Sequence, residues 1–208
     1  MKYVNHYLLA SLFIVIFIGP MAFDIGLASM LHVEILFLII LISSVFLHQH
    51  NSNAFKVTVI SLSLVLLNNF AFDFNQSLFQ YVLKLLIISI TIFTLFREII
   101  KTQIIDPHIV SGAISIYILI GVFWYLLYMV LLEINPEAFH ISKFNSSSVT
   151  VEMVYFSFTT LTTLGYGDIT PVSYTAKMWS ITEAVTGVMF IAVMISRLIA
   201  LLKIKDLD

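Results

Sequence analysis

The stretch that decides the fold is TTLTTLGYGDITP, residues 159–171, because it is polar and glycine-rich in a very apolar chain. Of the 208 residues, 60% are hydrophobic and 11% are charged, whereas an average soluble domain has about 25% charged residues. Irregular backbone at membrane depth is tolerated only where protein buries it or where it lines water. The stretch therefore predicts a buried or water-lining loop in a membrane protein.

Long apolar runs lie on both sides of this loop. Spanning a bilayer takes about 20 mostly apolar residues, with a range of roughly 17–25. Six runs reach or approach that length, and each predicts a transmembrane helix: 7–23, 31–47, 55–72, 78–96, 112–134 and 175–202. Residues 149–162 are apolar but too short to span, which predicts a re-entrant helix. The predicted fold class is an all-α membrane protein with six transmembrane helices, one re-entrant helix and the loop.

The distribution of basic residues predicts the topology. With the N-terminus inside, cytoplasmic segments hold six bases: Lys2, Lys56, Arg97, Lys101, Lys203 and Lys205. The outer segments hold Lys143 and Lys177. Both termini are therefore predicted to be cytoplasmic, in a multi-pass protein of the plasma or inner membrane. A signal peptide over residues 1–23 is the alternative, but GPMAFD at 19–24 contains no clean cleavage site.

The residues of the loop suit a cation site. The C-terminal end of the preceding short helix carries about half a negative charge, which favours a cation. If several chains met on an axis, the carbonyls of an extended run could form stacked rings of oxygen ligands. Gly165 and Gly167 can adopt the positive φ angles that turn carbonyls to one side without steric cost. Thr163 can add its hydroxyl, while Leu164 and Tyr166 would turn away from the axis.

The sequence Thr163-Leu164-Gly165-Tyr166-Gly167-Asp168 resembles the selectivity filter of potassium channels. The wider stretch VYFSFTTLTTLGYGDITPVS, residues 154–173, resembles the pore module of bacterial tetrameric potassium channels with two helices per pore. This resemblance implies a potassium-selective homotetrameric channel in which each chain meets three identical subunits. It also implies that carbonyls of residues 163–166 and the Thr163 hydroxyl bind K⁺, and that Asp168 forms an acidic ring at the outer mouth.

Residues behind the filter depart from the family pattern. Tyr155 and Phe156 stand where many such channels have two tryptophans, and Phe156 cannot donate a hydrogen bond to the filter. Tyr155 can still reach Asp168 or Tyr166. Thr159 stands where some members carry a buried glutamate. Four residues are assigned to filter support, and how firmly they hold it is left open: Tyr155, Phe156, Thr159 and Thr162.

The last apolar run resembles the inner helix of the pore. Gly187 aligns with the hinge glycine of the family, and a bending point and close helix packing are equally open interpretations. Val188, Ile191 and Ile195 are expected to line the cavity, where an apolar constriction can gate by dewetting. Glu183 lies one turn before Gly187. It is interpreted as a protonated or hydrogen-bonded tie to the pore helix, with a proton sensor as the alternative.

Residues 1–100 are predicted to form a four-helix domain that resembles a voltage sensor without its arginines. Steep voltage gating needs several charges along the fourth helix, but this helix has only Lys84 before Arg97, so it is not expected. Glu34 is predicted to lie at the depth of Lys84, and either the two pair or Lys84 extends outward alone. An interfacial linker is predicted over 101–111 and a pore domain over 112–208, with its filter at 163–168.

Other functions fit the sequence less well. A K⁺ transporter or uptake subunit usually shows matched repeats with discontinuous helices, whereas this chain has one re-entrant unit. A non-conducting regulatory channel subunit is the third alternative. No enzyme site stands out, and a net charge of −2 gives no basic patch for binding nucleic acid. K⁺ is the only expected cofactor. Besides the three identical subunits, membrane lipid is the expected partner. Three histidines are expected to be polar residues at the membrane interface: His48, His50 and His108.

Overall fold

The computed structural model describes residues 4–24, 38–44, 52–71, 78–102, 107–141 and 149–205. The first part is helical: α1 (Val4–Phe13), a π-helical segment (Ile14–Ile18), α2 (Gly19–Asp24), α3 (38–44), α4 (Ser52–Ala71) and α5 (Leu78–Lys101). The second part contains α6 (Pro107–Ile134), β1 (Phe139–Ile141), α7 (Val149–Leu161), β2 (Ile169–Pro171) and α8 (Tyr174–Lys205).

Three helices in the described part of the chain are long and apolar enough to cross a membrane: Leu78–Lys101, Pro107–Ile134 and Tyr174–Ile199. Asn5–Met21 and Ala54–Leu67 are apolar but shorter. Most of the predicted span at 31–47 lies outside the described residues. The arrangement with six spans therefore stays a prediction.

The first helix widens in its middle because of Pro20. A proline inside a helix cannot donate its backbone N–H and collides with the carbonyl four residues earlier. Immediately before Pro20, the helix changes to π-helical turns over Ile14–Ile18, and the Gly19 N–H bonds the Ile14 carbonyl, five residues back. Such a π-bulge is a common way to accommodate an interruption of the helical hydrogen bonds.

Helix α6 lies at the centre of the molecule, and 72% of its apolar membrane-spanning stretch is buried. It packs against α1, α5, α7 and α8. One face of α5 is buried at helical spacing: Gln80, Tyr81, Lys84, Ile87, Ile88, Thr91, Leu95 and Ile99. Helix α6 begins at Pro107 rather than at the expected residue 112, because proline fits the first position of a helix, where its missing donor is not needed.

Lys84 is buried, with only 1% of its surface exposed. Its ammonium nitrogen lies 5.7 Å from the centre of the Tyr81 ring, within the range of a cation–π contact. Lys84 therefore does not extend outward alone, as one interpretation of the sequence held. Glu34, the partner predicted for Lys84, lies outside the described residues, so that pairing stays a prediction.

A short two-stranded sheet corrects the expectation of a purely α-helical fold. Strands β1 and β2 pair antiparallel, with Phe139 opposite Pro171 and Ile141 opposite Ile169. The backbone N–H of Val172 then bonds the Ala138 carbonyl at 2.8 Å. Ser173 caps α8, because its hydroxyl accepts the Ala176 N–H at 3.1 Å. The segment that follows the glycine-rich loop is thus held against the end of α6.

Helices α7 and α8 approach each other closely at Gly187, which is buried. A methyl group at this position would collide with the backbone carbonyl oxygen of Leu161 and would lie 3.0 Å from the Leu161 Cδ1 atom. Of the two interpretations of Gly187, close packing has an observed physical basis. The contact places α8 directly against the end of α7.

We expect Gly187→Ala to destabilise the protein by roughly 1–3 kcal/mol, the usual cost of overpacking, because the new methyl group meets backbone that cannot rotate away. The matched control is Gly121→Ala. There, the methyl group would lie 2.7 Å from the Phe158 ring, a side chain that can move. Thermal denaturation in detergent measures both. An equal or larger loss of stability in Gly121→Ala would contradict the packing assigned to Gly187.

Candidate functional site

The glycine loop, residues 162–168, has a backbone that alternates in handedness. Three φ angles are positive, 60° at Thr163, 52° at Gly165 and 84° at Gly167, whereas those of Leu164 and Tyr166 are not. The left-handed angles at the two glycines are as expected from the sequence, but the angle at Thr163 is not, since threonine rarely adopts it. A Cβ atom at either glycine would meet nothing within 4 Å. In the single chain, glycine is therefore needed for its conformation and not for space.

The N–H groups of the loop turn back onto the end of α7. The N–H groups of Leu164 and Gly165 both bond the Thr159 carbonyl, at 2.8 Å and 3.1 Å, and the Thr163 N–H bonds the Thr160 carbonyl at 2.9 Å. These bonds satisfy carbonyls that a helix otherwise leaves unpaired at its C-terminus. Thr159 thus supports the loop through its backbone carbonyl. The sequence did not predict this contact, because a carbonyl is present at every residue.

The carbonyl oxygens of the loop are left without donors. Within the described part of the chain, the backbone carbonyls of residues 163–167 accept no hydrogen bond, and neither does the Thr163 hydroxyl form one. All seven loop residues are exposed in the single chain. A row of such oxygens, at the C-terminal end of a helix, has the chemistry of a site for a bare cation.

Asp168 is held at the end of the loop by two bonds. The Tyr155 hydroxyl donates to Asp168 Oδ2 at 2.8 Å, and the Ile169 N–H donates to Oδ1 at 3.1 Å. Burial, followed by the bond to Asp168, raises the pKa of Tyr155 to about 12, so this hydroxyl stays protonated at neutral pH. The rings of Tyr155 and Tyr166 lie parallel, with centres 6.4 Å apart. Tyr155 therefore contacts both partners that the sequence allowed it.

Phe156 packs against α6 and β1, and its assignment to filter support stays a prediction. It is buried and forms an aromatic cluster with Tyr128 and Phe139, and each pair of ring centres is 5.2–5.3 Å apart. The cluster fixes α7 against α6 and β1. Thr162 likewise bonds its own helix, because its hydroxyl donates to the Phe158 carbonyl at 2.7 Å.

Glu183 is completely buried, with 0% of its surface exposed, and joins three helices. The Tyr128 hydroxyl on α6 donates to Glu183 Oε2 at 2.5 Å. The Ser157 Oγ atom on α7 lies 2.6 Å from Glu183 Oε1 and 2.8 Å from the Gly121 carbonyl oxygen. The tie to the pore helix expected from the sequence is present. Its partners were missed, because only the packing of α6, α7 and α8 brings these residues together.

The expected cavity residues Val188, Ile191 and Ile195 recur at helical spacing along α8 and are 54%, 44% and 52% exposed. Most of α8 is exposed in the same way, since only 17% of its apolar membrane-spanning stretch is buried. The single chain therefore leaves these side chains uncovered.

Arg197 links the far end of α8 to α5, which the sequence did not predict. Its guanidinium donates to the Ile100 carbonyl at 2.9 Å and to the Thr102 carbonyl at 2.8 Å. A cation is favourable at the C-terminus of a helix, where carbonyls lack partners. The contact connects the helix that follows the glycine loop to the last helix of the N-terminal half.

His108 is buried between three helices near the N-terminal end of α6, and its expected depth at the membrane interface stays a prediction. Its Nε2 atom lies 3.2 Å from Asn5 Nδ2 on α1 and 3.3 Å from Glu98 Oε1 on α5. Among the described residues, no group of three His, Cys, Asp or Glu side chains could hold a metal ion. His48 and His50 lie outside the described residues.

The chain was also compared with known proteins. Residues 112–203 match the family model described as ion channel, which is fewer than half of the 208 residues. No curated protein and no solved structure is significantly similar to the chain. The matched region contains most of α6 and α8, all of α7 and the glycine loop. This part of the chain is therefore similar to ion channels.

Proposed function

We propose that the chain is one subunit of a homotetrameric, potassium-selective channel that conducts K⁺ passively across a plasma or inner membrane. The observation that carries this proposal is the glycine loop, whose carbonyls at residues 163–167 accept no hydrogen bond from the described residues. In the proposed channel, each chain has six spans, a re-entrant α7 and cytoplasmic termini. The resemblance of the loop to a potassium filter and the match to ion channels support the proposal.

The proposed chemistry is the exchange of water for protein oxygens. Carbonyls of Thr163, Leu164, Gly165 and Tyr166, with the Thr163 hydroxyl, would replace the hydration shell of K⁺. One chain supplies one strand, so a closed ring of four chains is needed to surround the ion. A ring of four Asp168 carboxylates at the outer mouth would raise the local concentration of cations.

The exposed surfaces of the single chain support assembly. Leu164 and Tyr166 are 55% and 69% exposed, although both are large apolar or aromatic side chains beside an ion site. Helix α8 is mostly uncovered, whereas α6 is mostly buried. Three further copies would cover these faces and would place Val188, Ile191 and Ile195 around a shared cavity below the filter.

The proposed channel does not respond steeply to voltage. A steep response requires three or four charges per subunit that move through the membrane field. Helix α5 carries Lys84, Arg97 and Lys101, and the latter two lie near its C-terminal end.

We expect purified chains in liposomes to pass K⁺ but not Na⁺, and we expect Gly165→Ala to abolish K⁺ flux. Alanine at a φ of 52° is strained by about 1–2 kcal/mol, so the carbonyl beside it would turn away from the ion. Gly112→Ala is the control, because Gly112 does not have a positive φ and lies in α6, so alanine there costs no comparable backbone strain; its methyl group would lie 3.1 Å from the Asn5 amide nitrogen and 3.9 Å from Ile99 Cδ1. Ion flux under matched K⁺ and Na⁺ gradients is the measurement.

The alternatives predict different outcomes of the same flux measurement. Saturable uptake coupled to a second ion would indicate a transporter. A correctly assembled tetramer without flux would indicate a regulatory subunit. Equal Na⁺ and K⁺ flux would contradict selectivity, and a mass other than four chains in detergent would contradict the tetramer.

Tyr155→Phe removes the hydroxyl that holds Asp168 while keeping the ring beside Tyr166. We expect potassium currents in this variant to decay several-fold faster during sustained opening, because one charge-assisted bond to the loop is lost. The control is Tyr174→Phe, since Tyr174 is 87% exposed. Unchanged decay in Tyr155→Phe, measured in planar bilayers, would show that this bond does not stabilise the filter.

A further inference from the structure

The Ser157 hydroxyl lies within hydrogen-bond distance of two oxygen atoms, although it has a single proton to donate. The Ser157 Oγ atom lies 2.8 Å from the Gly121 carbonyl oxygen and 2.6 Å from Glu183 Oε1. The carbonyl can only accept a hydrogen bond. If Ser157 donates to Gly121, the second contact is a hydrogen bond only when Glu183 Oε1 itself carries a proton.

With that proton in place, every polar group of the cluster has a partner. Glu183 Oε1 donates to Ser157, Ser157 donates to the Gly121 carbonyl, and the Tyr128 hydroxyl donates to Glu183 Oε2 at 2.5 Å. Tyr128, the titratable side chain that hydrogen-bonds Glu183, is a phenol and carries no charge at neutral pH. The described residues form no salt bridge with Glu183. An ionised carboxylate here would be a buried charge without a cation, which is costly.

The cluster lies directly behind the glycine loop. Ser157 comes two residues before Thr159, whose carbonyl binds the N–H groups of Leu164 and Gly165. Gly187, one turn after Glu183, touches the carbonyl of Leu161. Helix α8 therefore contacts α7 on both sides of Thr159, so a displacement at Ser157 is transmitted to the bonds that hold the loop.

We propose that Glu183 is a neutral glutamic acid and a positioning residue. Its proton completes a hydrogen-bond chain from α8 through Ser157 of α7 to the Gly121 carbonyl of α6. This hydrogen-bond chain sets how far the end of α7 lies from α6 and α8, and thereby sets the geometry of the loop. The effect on conduction rests on the proposed potassium channel, whereas the protonation state does not.

Infrared spectroscopy of the full-length protein tests the proton directly. A protonated carboxylic acid has a carbonyl stretch that a carboxylate lacks. We expect this band in the native protein at neutral pH, and we expect Glu183→Gln to lose it. A native protein without the band overturns the proposal, whether or not the chain conducts ions.

Substitutions at Glu183 test the positioning role. Glutamine has the same pattern as the neutral acid, because its oxygen can accept from Tyr128 and its NH₂ group can donate to Ser157. We expect Glu183→Gln to keep the ratio of K⁺ to Na⁺ permeability within about twofold of the native value. Glu183→Ala removes both the acceptor of the Tyr128 hydroxyl and the proposed donor to Ser157, and we expect this ratio to fall by about tenfold.

If Glu183→Ala does not assemble, Ser157→Ala provides a second test of the positioning role. It cuts the same chain at its middle, so we expect the same direction of change in the permeability ratio, and we expect little further loss in the double variant. A Glu183→Gln variant that is as impaired as Ser157→Ala would overturn the proposal, since an ionised carboxylate would then be required. Native permeability in Ser157→Ala would overturn it as well.

Discussion

Backbone carbonyls without donors are the feature on which the rest of this structure depends. A buried carbonyl in apolar surroundings costs free energy unless something pairs with it. Residues 163–167 present five carbonyl oxygens in succession that accept no hydrogen bond from the described residues. They are exposed in the single chain and would be buried in the proposed tetramer. The N–H groups of Thr163, Leu164 and Gly165 cannot act as donors to these oxygens, because they already bond the carbonyls of Thr160 and Thr159. The loop is therefore an acceptor surface that needs a partner from outside the chain, and we propose K⁺ for this role.

Holding such a loop requires support that the loop itself cannot provide. Tyr155 holds Asp168 at one end, and β2 pairs with β1 immediately afterwards. At the other end, α7 is fixed from three directions. The aromatic cluster around Phe156 lies on one side, Gly187 of α8 touches Leu161, and the Glu183 hydrogen-bond chain joins α6, α7 and α8. Polar contacts behind the loop are worth more than at a surface, because few competing water molecules are present.

The same helices connect the loop to the rest of the molecule. Helix α8 passes Glu183 and Gly187, then the exposed cavity residues, and ends near Arg197, which binds the last carbonyls of α5. The other end of the α5–α6 connection is held by His108, between Asn5 and Glu98. The N-terminal half thus contacts α6 and α8 through polar groups at defined points, in addition to the apolar packing of α5 on α6.

The sequence alone determined which segments are apolar helices and where the loop lies, because these depend on local composition and on glycine. Helices α4 to α8 begin and end within a few residues of the predicted runs, and Gly165 and Gly167 have the expected φ angles. The tertiary structure decided the partners. Phe156 packs with Tyr128 and Phe139 and Lys84 is buried, because side-chain surroundings follow from helix packing. The Thr159 carbonyl binds the loop, because the chain folds back there. Ser157, Tyr128 and Gly121 are up to 62 residues from Glu183, so only the packing of three helices could bring them to one carboxyl group.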